Sequence, residues 1–107
     1  MKRGLTIRAW QVCLRSEATA GRYGAAAVKD LFGDASPREL CASNPDVREL
    51  MRAMAADLSE HYPLEAIELE RLGFAEGARV FCGQKAGFSC GPMGDWLRGL
   101  CFCESCR

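Results

Sequence analysis

Up to Gly73, the apolar residues of this chain fall mostly three and four positions apart, the spacing that puts side chains on one face of a helix. Ile7, Trp10, Cys13 and Leu14 repeat in this way and predict a helix over residues 5–20, with Gly21 as its stop. Trp10 and Cys13 read as core positions, since a free cysteine packs as a small hydrophobe. A second helix is predicted over residues 23–32, with Tyr23, Ala27, Leu31 and Phe32 inward. Ser36-Pro37-Arg38-Glu39 has the form of a capping box with proline at the first helical position. It predicts a short helix ending near Ala42 that buries Leu40 and Cys41.

The clearest helix follows. Asn44 can cap it, Pro45 suits its first turn, and Asp46 complements its dipole. Val47, Leu50, Met51, Met54 and Leu58 form one apolar stripe through to His61. His61, the only histidine, sits where a cation favours the helix end. Pro63 opens a last helix of the body, ended by Gly73, with Glu65, Glu68 and Glu70 in solvent. Strand pattern enters only later. Residues 80–82 and 88–90 are predicted to pair as a hairpin about a glycine-rich turn, and residues 94–99 form at most two helical turns. The expected fold is therefore mainly α: a small helical domain with a short β-hairpin and a C-terminal Cys-rich metal-bound cap. At 107 residues it reads as one domain, with a helical body over 1–76 and the cap over 77–107.

The cysteines change the picture most. Five of the seven, Cys82, Cys90, Cys101, Cys103 and Cys106, lie after Val80. Cys103-Glu104-Ser105-Cys106 places two thiols two residues apart, the spacing at which one tight turn binds Zn2+. The hairpin would set Cys82 beside Cys90 to face that pair. The expected zinc ligands are Cys82, Cys90, Cys103 and Cys106, with Cys101 as an alternate. Disulfides would leave one of seven thiols unpaired. The C-x-C-x-x-C spacing is not one of the common ferredoxin arrangements.

Charge bears on partners. The net charge is zero, so no global attraction to nucleic acid or membrane is expected. The signs are nevertheless segregated. Residues 1–29 carry Lys2, Arg3, Arg8, Arg15, Arg22 and Lys29 against Glu17, while residues 30–70 carry ten acids against three arginines. Arg3, Arg8, Arg15 and Arg22 are the candidate nucleic-acid contacts. Arg79, Lys85, Arg98 and Arg107, beside Phe81, Phe88, Trp96 and Phe102, could add stacking. No phosphate loop or nucleophile elbow is present, and an enzyme is not expected. Met1-Lys2-Arg3 is followed by Arg8 and Arg15 rather than an apolar segment, so neither a signal peptide nor a membrane span is predicted and a cytoplasmic location is expected. The function expected is a zinc-stabilised nucleic-acid-binding or regulatory protein, with DNA or RNA as partner. Alternatives are an adaptor or inhibitor acting by protein contact, and a thiol redox sensor.

Overall fold

A computed structural model of the protein describes residues 4–73 and 91–107. Within them helix accounts for 43% and strand for 23%, in three helices and two sheets, so the fold is mixed α/β and the expectation of a mainly helical domain is overturned. Four stretches read as helices contain strands instead. β1 spans Arg8–Val12, β2 spans Ala27–Lys29, β3 spans Ala35–Leu40 and β4 spans Ala66–Glu70. Between them lie α1 (Glu17–Arg22), a 3-10 turn (Gly24–Ala26) and α2 (Pro45–His61). α3 (Gly91–Arg98) and a second 3-10 turn (Glu104–Cys106) come last. The predicted hairpin and Cys82, Cys90 and Arg3 lie outside the described residues.

β1 and β4 run parallel, with Arg8 opposite Ala66 and Val12 opposite Glu70. Parallel neighbours cannot be joined by a tight turn and need a long crossover, which here includes α2. The physical reason for the misreading of β1 is visible in its faces. Gln11 and Cys13 are buried while Trp10 is 70% exposed, an alternation of period two that the spacing of Ile7, Trp10 and Leu14 concealed. In β4 residue type alternates in the same way, Ile67 and Leu69 with Glu68 and Glu70, although Leu69 is itself exposed.

β2 and β3 are antiparallel, with Ala27 opposite Leu40. Their loop is organised by Asp30, whose carboxylate accepts from the N–H groups of Phe32 and Asp34 at 2.9 Å each. Gly33 supplies the left-handed residue, φ 91°, which glycine adopts without a Cβ clash. Ser36 does accept from the Glu39 N–H at 3.0 Å, as a capping serine would, yet the chain goes on as strand because both its neighbours pair with it. On one side is β2. On the other is the stretch after β1, where the Ser16 N–H donates to Arg38 O (2.8 Å) and the Leu40 N–H to Leu14 O (3.0 Å). The same stretch continues the β1–β4 ladder, with the Cys13 N–H on Glu70 O at 2.9 Å, and so joins the two sheets. Arg71, just after β4, reaches buried Glu39 at 3.2 Å.

α2 forms over the expected span. Asn44 Oδ1 accepts from the N–H groups of Asp46 (2.9 Å) and Val47 (3.2 Å), and its Nδ2 donates to Ala25 O at 3.2 Å. The apolar stripe is less buried than its pattern suggests: Val47 is inside, while Leu50 and Met54 are exposed. The main core is built from small side chains, Cys13, Leu14, Ala20, Ala26, Ala27, Leu40 and Val47. No helix among the described residues is long and apolar enough to cross a membrane.

Candidate metal centre

Cys41 follows directly on β3. Its N–H donates to Ala26 O at 2.8 Å, and its carbonyl accepts from the Asn44 N–H at 3.1 Å. These bonds fix the residue between the end of a strand and the cap of α2, and its side chain is 1% exposed. The C-terminal arm arrives from α3 through a turn at Gly99 and Leu100. It docks beside β2 by one backbone bond, from the Phe102 N–H to Lys29 O at 2.8 Å. That bond sets Cys101 and Cys103 on either side of Phe102. The arm then closes into its 3-10 turn, where the Cys106 N–H reaches Cys103 O at 3.0 Å. The turn folds Cys106 back over Cys103.

The result is a group of four thiols, Cys41, Cys101, Cys103 and Cys106, whose sulfurs all lie within 4.8 Å of one another. Cys41 Sγ is 3.4 Å from Cys106 Sγ and 3.5 Å from Cys103 Sγ. Val28 of β2 packs against buried Cys41 and Cys103. Four cysteines are thus positioned to bind a metal ion.

Electrostatics at the group follow from crowding acidic groups away from water. Burial pushes the Cys41 thiol far above its ordinary value, helped by its contact with Cys106. Burial also raises Cys101. At Cys103 burial opposes ionisation, but hydrogen bonds from Cys101, Cys41, the Ser105 backbone and Cys106 outweigh it, and its value is lowered. One thiolate solvated by its neighbours' S–H groups is the best such a cluster can do with protons alone. A divalent cation at its centre would hold the other sulfurs ionised as well.

Of the ligands expected from the sequence, Cys103, Cys106 and the alternate Cys101 are brought together. Cys82 and Cys90 lie outside the described residues. Cys41 was expected only as a core residue of a short helix. His61 is away from the thiols, with its ring against Asp57. Among the candidate nucleic-acid contacts, Arg8 lies 3.7 Å from Glu65 and 3.5 Å from Glu68. Arg15 and Arg22 are exposed, and the Arg22 guanidinium stands over the Tyr23 ring at 5.8 Å. Compared with known proteins, the chain matches no family model, no curated protein and no solved structure.

Proposed function

We propose that Cys41, Cys101, Cys103 and Cys106 hold one Zn2+, and that the ion's task is to lock the C-terminal arm onto the β2–β3 sheet. The observation that carries this reading is the spacing of the four sulfurs. A tetrahedral Zn2+ with bonds of about 2.3 Å sets its sulfur ligands roughly 3.8 Å apart, and the four sulfurs here lie within 4.8 Å of one another, two contacts being 3.4 and 3.5 Å. An iron–sulfur cluster divides its cysteines among several irons and needs a wider set. With four thiolates bound, no position is left open for substrate, so the centre is structural rather than catalytic. Elemental analysis of protein purified under reducing conditions tests this: one zinc per chain is expected, and none would sink it. Replacement by Co2+ should give the visible spectrum of a tetrahedral all-thiolate site.

A second reading, that the zinc-stapled protein binds nucleic acid, is favoured by one feature. Arg15 precedes α1 and Arg22 ends it, neither with a carboxylate partner among the described residues, and Arg22 lies on an exposed aromatic ring. Cations beside an aromatic face suit a strand's phosphates and bases. A mobility-shift series at low and moderate salt, with single-stranded and duplex probes, decides this reading, since phosphate contacts weaken steeply with salt.

A further inference from the structure

The four thiols are not equivalent, and the difference suggests how the centre is regulated. Cys41 and Cys103 are buried, while Cys106 is exposed. Cys106 borders an open groove of about 560 Å³ lined also by Gly99, Leu100, Cys101, Phe102 and Arg107. Its sulfur lies in direct contact with Cys41 Sγ, at 3.4 Å. A disulfide needs the two sulfurs at about 2.05 Å. The residue that must move is carried on a one-turn 3-10 segment, closed by the bond from its own N–H to Cys103 O. Cys41, by contrast, is fixed on both sides by the sheet and the cap of α2.

We propose that the centre is a peroxide-responsive clasp, in which oxidation joins Cys41 to Cys106 and releases the metal. This rests on the zinc reading above. The Cys106 thiolate, the most exposed of the four, attacks a peroxide oxygen. The O–O bond breaks, hydroxide leaves, and Cys106 becomes a sulfenic acid. The Cys41 thiolate then attacks that sulfur, the S–O bond breaks, and a second hydroxide leaves. Two thiolates and one hydrogen peroxide become one disulfide and two hydroxides, which the buffer acid protonates to two waters. The two electrons lost by sulfur are those gained by peroxide. Cys101 and Cys103 are too few to retain the ion, and the arm loses its metal anchor while a covalent one takes its place.

The test treats the zinc-loaded full chain with hydrogen peroxide, reads released zinc with a chromogenic chelator, and maps disulfides by mass spectrometry without reduction. One equivalent of zinc should appear together with a Cys41–Cys106 linkage, and a thiol reductant with added zinc should reverse both. Cys106→His keeps a fourth ligand but cannot form the linkage, so its release should be at least tenfold slower. Zinc that stays bound under peroxide, a different disulfide, or equally fast release from Cys106→His would overturn the proposal. A preparation that holds no zinc before peroxide is added would fail the zinc reading itself, a result distinct from zinc that is present and retained.

Discussion

Among the described residues the protein has two cores, and they are built on different principles. The first gathers Cys13, Leu14, Ala20, Ala26, Ala27, Leu40 and Val47 between the sheets, α1 and α2. Its members are mostly small, and its stability comes from removing apolar surface from water. The second is Val28 with Cys41, Cys103 and Cys101. It has one ordinary hydrophobe and three thiols, with Cys106 beside them. Apolar burial alone gives so small a cluster little hold on the arm that carries three of its cysteines. What the first core gains from packing, the second would gain from a shared cation. The two should therefore answer to different perturbations.

The largest effect is expected at the second core. Cys41→Ser removes the one thiol of the four held at the end of β3, and contacts spanning 62 and 65 residues are lost with it. Loop closure by a cross-link of that span corresponds to about 4 kcal/mol at 25 °C. Chemical denaturation with zinc present should show a loss of that order, and with a chelator present a much smaller one. A loss that ignores the chelator would mean that Cys41 acts only by packing.

Val47→Ala strikes the first core instead. It empties part of a fully buried site and should cost about 2 kcal/mol, cavity included, whether or not metal is bound. Next comes Asn44→Ala, which removes the cap of α2 and its bond to Ala25. About 1 kcal/mol is expected from denaturant midpoints. Because Asn44 lies between the two cores, the same substitution should also weaken zinc affinity slightly. The smallest effect is Arg8→Ala. Its two glutamate partners are exposed and distant, and such pairs contribute well under about 1 kcal/mol.

Acidity bears on both cores, since burial also raises the Cys13 thiol of the first. Without metal, the Cys41 and Cys101 thiols titrate above the ordinary 9.0, so their contribution is whole below that value and is lost as pH rises past it. Cys103 is shifted the other way. Its contribution is complete above 9.0 and is lost on the acid side, as pH falls through its lowered value. Thermal melts of chelated protein should therefore decline above pH 9. Zinc-loaded protein should instead fail toward acid, where protons compete for the thiolates.

Which parts of this were legible in the sequence depends on how local their causes are. α2 was readable end to end, because Asn44, Pro45 and Asp46 act within one turn. The helix predicted over 23–32 ran through Asp30 into what is a hairpin loop, since Ala25, Ala26 and Ala27 favour helix and only β3 overrides them. β1 and β4 depend on each other across more than fifty residues, and a parallel pair leaves no turn signal between its strands. The alternation of Ile67 and Leu69 with Glu68 and Glu70 was the clue available, overshadowed by the helix start that Pro63 imitates. At the metal centre, Cys103 and Cys106 announced themselves by spacing, and Cys101 as their alternate. Cys41 did not, because the helix predicted over Ser36 to Ala42 made it core, and nothing near it in sequence points to the arm.

The uneven division of the four thiols, three within six residues and one far upstream, would also govern how the protein acquires a metal. A chain that has not yet folded still holds Cys101, Cys103 and Cys106 close together, and such an arm can capture an ion before any sheet exists. Metal affinity in the unfolded chain subtracts from the stabilisation the ion gives the native state. Loading should then precede docking: the arm takes the ion first, and the newly formed end of β3 presents Cys41 to complete the shell. The rate of metal uptake would be set by a short flexible segment, and the rate of final closure by the slow, long-range assembly of the sheet.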